Sequence, residues 1–276
     1  MSSFTTRSIT GIVLVTAITG SVLVGRYSFI ILLFVINFLA LIEFYKLVAK
    51  GEFHAYSKEG LFLSVVFFVS ASLALSNHFD SHILLINVLS VSVIFIRELY
   101  RNSPTSFQNL ALTFFGIFYV TIPIIFFESI SFLPFEEEAY HPGIILGYFI
   151  ILWASDSGAY AVGSMIGKHK LFEIISPNKT WEGSVGGAML AFAAAYLISV
   201  YVKELSLIDW LVTCLIIVVV GTYGDLFKSL LKRSANAKDS GNLLPGHGGF
   251  LDRFDSLIGS APFVFGYLAV LKDWVL

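Results

Sequence analysis

Residues 110–127 read Leu-Ala-Leu-Thr-Phe-Phe-Gly-Ile-Phe-Tyr-Val-Thr-Ile-Pro-Ile-Ile-Phe-Phe, a run without a single charge. A helix of roughly 20 apolar residues crosses a hydrocarbon core about 30 Å thick, and this run comes close to that length. Eight further runs share its character: Ile9–Val24, Phe29–Phe44, Leu61–Leu75, Ile83–Ile96, Gly143–Val162, Val185–Tyr201, Ile208–Leu226 and Phe254–Leu271. The whole chain agrees. Its 276 residues are 57% hydrophobic and 13% charged, with mean hydropathy +0.83 and 27 Phe. A soluble domain carries about 25% charged residues, so lipid is the expected solvent. The expected fold is an all-α polytopic integral membrane protein of nine transmembrane helices.

Basic residues accumulate in cytoplasmic loops and set the orientation of such a chain. With the N-terminus inside, 14 of the 17 basic residues fall on the cytoplasmic side, and Arg26, Lys203 and Lys272 fall outside. The outer loop Glu128–Gly143 holds four Glu and no Lys or Arg. Arg7 ahead of the first run gives it the look of a signal peptide, but a second span follows almost at once, so a retained helix is expected. Residues 1–142, five spans with chemically plain loops, read as a scaffold. Residues 143–276, four spans with cytoplasmic loops, carry most of the Gly, Asp and Lys clusters and read as the catalytic part. There is no internal repeat of the kind that marks many transporters. Net charge is −2, which gives no bias toward nucleic acid, and the single Cys214 allows neither a disulfide nor a cysteine metal site within one chain.

The chemistry concentrates between Asp225 and Asp255. Helical spacing places Asp225, Lys228, Ser229 and Lys232 on one face, at i, i+3, i+4 and i+7. A carboxylate within two turns of cations suits a meeting of Mg²⁺ and phosphate, although snorkelling lysines on a juxtamembrane helix would look the same. Next comes Lys238-Asp-Ser-Gly-Asn-Leu-Leu-Pro-Gly-His-Gly-Gly-Phe-Leu-Asp-Arg-Phe-Asp255, a glycine-rich loop that opens a helix. Its glycines let backbone N–H groups approach an anion closely. Asp252 and Asp255, at i, i+3 in that first helical turn, would repel the anion unless a cation were bound as well.

These residues carry a resemblance. The run from Ser229 through Lys232-Arg233, Lys238-Asp239, Gly241, Pro245, His247-Gly248-Gly249 and Asp252-Arg253 to Asp255 resembles the signature of the phosphatidate cytidylyltransferase family, also called CDP-diacylglycerol synthases. Every fixed position is met without a gap over 27 residues. The likeness extends to Asp156-Ser-Gly-Ala-Tyr160 and Ser176-Pro-Asn-Lys-Thr-Trp-Glu-Gly183, whereas the first 140 residues match only in hydropathy. The resemblance implies that CTP and phosphatidic acid react to CDP-diacylglycerol and pyrophosphate in phospholipid synthesis, with Mg²⁺ as one ion or as two. It further implies a homodimer in a bacterial inner membrane, with the active site facing the cytoplasm. By motif position Asp225 and Asp252 are expected metal ligands, with Asp255 a third candidate; two ions would clamp the attacking and leaving oxygens. Lys232, Arg233, Lys238 and Arg253 would bind phosphates. His247 either donates to a phosphate oxygen or packs in the loop, and Asp239 is a ligand, a partner for Lys238 or a cap. Gly248, Gly249 and Ser229 belong to the substrate-binding set.

Upstream, Asp156 lies inside a span, where an acid is costly and usually faces a cavity or a partner. Cavity lining is expected, with a hydrogen bond to Tyr160 as the alternative. Ser176, Asn178 and Lys179 sit in a cytoplasmic loop in reach of CTP, and Thr180 capping toward Gly183 explains the same residues without substrate. Gly163-Ser-Met-Ile-Gly-Lys168 is one residue short of a phosphate loop and follows a membrane helix, so that reading is rejected. Two other functions fit a polytopic chain: a CTP-dependent lipid kinase acting on a polyprenol or phytol, and an ion-coupled transporter with Asp156 as the ion site.

Overall fold

The computed structural model describes residues 3–51, 54–76, 79–101, 103–133, 140–237, 239–241, 243–244 and 248–271. Lys238 and His247, the acidic residues 136–138 and Lys272 lie outside these. The chain runs α1 (Ser3–Val24), α2 (Arg26–Val48), α3 (Ser57–Leu75), α4 (Leu85–Leu99), α5 (Ser106–Gly116) and α6 (Ile122–Ile130). It continues through α7 (Pro142–Ile166), the strands β1 (Lys170–Phe172) and β2 (Ser176–Thr180), then α8 (Trp181–Tyr201), α9 (Leu207–Ser234) and α10 (Leu251–Leu271).

Among the described residues eight helical segments are long and apolar enough to cross a membrane, and the apolar part of the first helix, Ser8–Val24, is shorter. The fold is an all-α polytopic membrane protein. Each of the nine apolar runs falls on helix. Several helices outrun them: α9 continues from Leu226 to Ser234, and α2 begins at Arg26. Hydropathy marks only the lipid-immersed part, while the backbone ladder continues into charged turns. The loop after α7 also differs from expectation, since β1 and β2 pair antiparallel with Lys170 opposite Thr180 and Phe172 opposite Ser176. Large apolar side chains left uncovered by protein are dense on α4, where Val88, Leu89 and Val93 are exposed. Such a face suits lipid rather than water.

Packing groups the chain into two units, residues 1–129 with 232–254 and residues 130–231 with 255–275, apart from the last residue. The split at residue 142 follows chain order; packing instead puts the loop after α9 with the first helices.

In the first unit, Gly25 at φ 137° separates α1 from α2, a conformation that a side chain resists. Tyr45 of α2 is buried, and its hydroxyl donates to the Thr113 carbonyl at 2.7 Å. Its ring occupies the space that a Cβ at Gly60 or Gly116 would need. Asn37 donates to Ser64 Oγ at 2.8 Å, and Ser64 meets Thr121 at 2.8 Å. Thr121 ends a π-helical turn, Ile117–Thr121, that joins α5 to α6. That wider turn accommodates Pro123, which has no N–H to offer the carbonyl four residues earlier.

In the second unit, α7 and α8 approach through glycines. A Cβ on Gly187 would lie 2.6 Å from the Ser155 carbonyl, and one on Gly158 would lie 2.9 Å from the Gly186 carbonyl. Small residues permit this closeness where no hydrophobic force drives helices together in lipid. Gly224 of α9 and Gly259 of α10 meet similarly, and Tyr148 meets Ser260 at 2.6 Å. Gly187→Val is expected to destabilise the protein by about 2 kcal/mol or more through overpacking. Gly20→Ala, whose Cβ meets nothing within 4 Å, is the neutral control. Thermal unfolding in detergent checks the pair.

Candidate active site

The end of α9 that belongs to the second unit holds a buried charge cluster. Lys228 is 5% exposed and Asp255 7%. Lys228 Nζ lies 2.7 Å from Asp225 Oδ1 and also pairs with Asp255 Oδ2. Lys179, at the end of β2, reaches the other Asp225 oxygen at 2.5 Å. Asp255 Oδ1 accepts the Ser256 N–H at 2.6 Å. Moving these charges out of water is expensive, and only close pairing offsets it. Two carboxylates around one ammonium, with a second ammonium alongside, achieve that neutralisation.

The hairpin that carries Lys179 is fastened locally. Thr180 Oγ1 accepts the Gly183 N–H at 3.2 Å and caps α8. Glu182 accepts the Lys168 N–H at 3.1 Å and the His169 N–H at 3.2 Å, and pairs with His169 Nδ1 at 2.5 Å. Capping by Thr180 and contact of Lys179 with the cluster therefore coexist. Beside the cluster lies a cavity of about 490 Å³. Asp225, Lys179 and Asn178 line it, as do Asp156 and Tyr160 of α7. Asp156, expected at a polar cavity, lies on its wall.

In the first unit a second network surrounds Asp252. Lys232 pairs with Asp252 Oδ1 at 2.8 Å. Asp252 Oδ2 accepts from Ser240 N–H at 3.0 Å, Ser240 Oγ at 2.9 Å and Gly249 N–H at 3.3 Å. Glu43 of α2 joins it, its Oε2 accepting the Leu251 N–H at 3.0 Å and the Ser240 hydroxyl at 3.3 Å. Gly248 adopts φ 84°, and its carbonyl accepts the Leu244 N–H at 2.9 Å. The loop amides of Ser240, Gly249 and Leu251, read from sequence as approaching an anion, here serve the chain's own carboxylates. Glu43 escaped the sequence reading. Its signal was a lone acid at the end of the apolar run Phe29–Phe44, a placement that demands a partner.

Of the other expected residues, Arg233, Asp239, Arg253 and Asn178 are exposed, whereas Ser176, Ser229 and Gly248 are half-buried and Gly249 is buried. Thus Asp225, Lys228, Lys179 and Asp255 come together in one unit, and Lys232, Ser240, Gly249 and Asp252 in the other.

Mg²⁺ favours hard oxygen ligands and commonly keeps one or two protein carboxylates, with phosphate or water oxygens for the rest. Asp225, on the cavity wall and sharing Lys228 with Asp255, fits that requirement. No group of three or more His, Cys, Asp or Glu occurs among the described residues, which a phosphate-completed shell does not need. Both oxygens of Asp252 have donors, as both of Asp225 do; what sets Asp225 apart is its place on the cavity wall.

A family model described as the cytidylyltransferase family matches residues 5–271. Over 124 residues the chain is 46% identical to a phosphatidate cytidylyltransferase of Bacillus subtilis, covering 45% of this chain and 46% of that protein. A protein of the same name from Staphylococcus aureus is 41% identical over 159 residues, 57% of this chain and 58% of the relative. Another, from Staphylococcus haemolyticus, is 35% identical over 185 residues, 66% and 68% of the two chains. The matched stretch thus spans about half the length of the first two relatives.

Removing the ammonium at the centre of the cluster should leave two buried carboxylates facing each other. Lys228→Met is expected to destabilise the protein by about 3–5 kcal/mol, and Asp255→Asn added to it should recover part of that loss. Thermal unfolding of the single and double variants in detergent checks the coupling.

Proposed function

Because the chain belongs to the cytidylyltransferase family, we propose that it transfers the cytidylyl group of CTP to phosphatidic acid, giving CDP-diacylglycerol and pyrophosphate. The observation that carries this reading is the set formed by the buried Lys228 and Asp255 with the half-buried Asp225 and Lys179, the latter two opening onto a cavity. Phosphatidic acid brings its own nucleophile. A phosphate oxygen of the lipid attacks the α-phosphorus of CTP, a new P–O bond forms, and the bond from that phosphorus to the bridging oxygen breaks to release pyrophosphate. The protein then has to align two anions and neutralise their charge.

Lys179 suits that task because it is half-buried and its ammonium can pass from Asp225 to an arriving phosphate. Lys228, held between two aspartates, offsets part of their negative charge without leaving its place. Asn178 offers an amide at the cavity wall, where Asp156 adds a second acid. Asp225 and Asp255 are the carboxylates we assign to Mg²⁺, which when bound would offset negative charge on the triphosphate and its leaving group. In the first unit Lys232 and Asp252 hold the glycine-rich loop, and Arg233 and Arg253 are exposed cations suited to phosphate. A helix bundle with apolar outer faces dissolves in the same bilayer as its lipid substrate. Basic residues concentrated in alternate loops support an active site on the cytoplasmic face, where CTP is available.

The test is a reaction of the purified protein with CTP labelled at the α-phosphate and with phosphatidic acid in mixed micelles, with and without Mg²⁺. Label entering the lipid only with Mg²⁺ is expected. Label appearing as CDP would instead support transfer of the γ-phosphate and overturn the proposal. Asp225→Asn should lower kcat by about 10²–10³, a loss of the size seen when a group stabilising transition-state charge is removed. Near-normal turnover in that variant would remove Asp225 from the reaction.

A further inference from the structure

Glu43 is 1% exposed and belongs to an apolar membrane helix, yet no Lys or Arg pairs with it among the described residues. Its partners are backbone and hydroxyl groups of a loop some 200 positions later in the chain, with Leu251 N–H at 3.0 Å and Ser240 Oγ at 3.3 Å. Leu251 is the first residue of α10, and its N–H is one of the donors that a helix start leaves unsatisfied. Glu43 therefore caps α10 from another helix, at the end where the helix dipole favours an anion. The next residue is Asp252.

The carboxylate is seated flush on the loop. A Cβ at Gly241 would collide with Glu43 Oε1, and one at Gly249 would collide with Glu43 Oε2 and Ser240 Oγ. Ser240 has a single hydroxyl hydrogen and faces two carboxylates, Asp252 at 2.9 Å and Glu43 at 3.3 Å. Donation to the nearer Asp252 leaves Glu43 to hold the loop through Leu251. The two acids thus divide the loop: Asp252 gathers Ser240 and Gly249, and Glu43 fixes the start of the helix that carries Asp252.

We propose that Glu43 is a positioning residue, fixing Ser240, Gly241, Gly249 and the start of α10 and thereby setting the orientation of Asp252 and of Lys232 paired with it. For turnover this rests on the cytidylyl-transfer reading. The role depends on reach and hydrogen-bond acceptance rather than on charge, which separates it from the role of a cation ligand. Gln keeps the length and an acceptor oxygen; Asp keeps the charge and loses one methylene of reach.

Wild type, Glu43→Gln and Glu43→Asp are compared for kcat and KM for CTP and for amide hydrogen exchange across residues 236–251. Positioning by reach predicts that Glu43→Gln stays close to wild type in all three. Glu43→Asp should lose about tenfold or more in kcat, as when an orienting partner is removed, with KM for CTP little changed and exchange of the loop amides faster. An active Asp variant with an inactive Gln variant would overturn the proposal in favour of a charge role. Wild-type kcat in both, or faster loop exchange with no loss of kcat, would overturn it as well. Should Glu43→Asp fail to fold, Gly241→Ala takes its place, since the nearest atoms its added Cβ meets all belong to Glu43. The same kcat loss and faster exchange are then expected, and wild-type values for both would refute the link. If the wild-type protein labels no lipid, the cytidylyl-transfer reading alone fails, and the exchange comparison decides the Glu43 contact.

Discussion

An ammonium buried in an apolar helix bundle has to be neutralised by groups that are buried with it. Lys228 obeys this constraint with two aspartates, Asp225 one turn back on the same helix and Asp255 on α10. Neither carboxylate would tolerate the position without the lysine, and together they carry more negative charge than it cancels. Lys179 supplies the balance from the hairpin. The requirement reaches into the packing. Gly224 lets α9 come so close to α10 that a Cβ there would sit 2.7 Å from the Asp255 carbonyl. A larger residue would separate the helices and pull Asp255 from its partner. Small residues and buried charges are thus two sides of one arrangement.

The same constraint, met with different materials, shapes the glycine-rich loop. Asp252 has one lysine and three loop donors, while Glu43 relies on a backbone N–H and a shared hydroxyl. Charge-assisted bonds to N–H groups are about twice as strong as neutral ones, so a few of them can stand in for a counter-ion. They also demand backbone at contact distance, which explains Gly241 and Gly249. The glycines that a sequence reader associates with an external phosphate are here needed by internal carboxylates.

Much of the fold was legible because lipid imposes a simple rule: a crossing must satisfy its own backbone, and a helix that does so alone shows as a long apolar run. The nine runs needed no tertiary information. The chemistry of α9 was legible too, since i, i+3 spacing alone brings Asp225 to Lys228. What stayed hidden depended on contacts far apart in sequence. Lys179 was singled out for CTP, and nothing local tied it to Asp225. Asp252 and Asp255 are one turn apart, and the sequence made Asp252 an expected metal ligand and Asp255 a third candidate. Packing gave the first Lys232 and donors of the glycine-rich loop, and the second the buried Lys228 and the Ser256 N–H. Glu43 was lost inside an apolar run because hydropathy averages over a single acid. The β1–β2 hairpin is too short for alternation to register, and its strands hold a Pro, an Asn and two Lys.

That hairpin shows why a structural and a functional reading of the same residues need not compete. Thr180 ends β2 and caps α8, and Glu182 in the first turn of α8 gathers the Lys168 and His169 amides. Both bonds restrict the backbone on either side of Lys179. A lysine side chain loses about 2 kcal/mol of rotamer entropy when held in one place, and a flexible loop would add backbone entropy to that. By settling the backbone first, the cap and the Glu182 bonds leave only the side chain to be ordered when Lys179 meets Asp225. The capping residues are therefore part of what makes Lys179 available at the cavity, and a lysine on an unfastened loop would meet Asp225 less often.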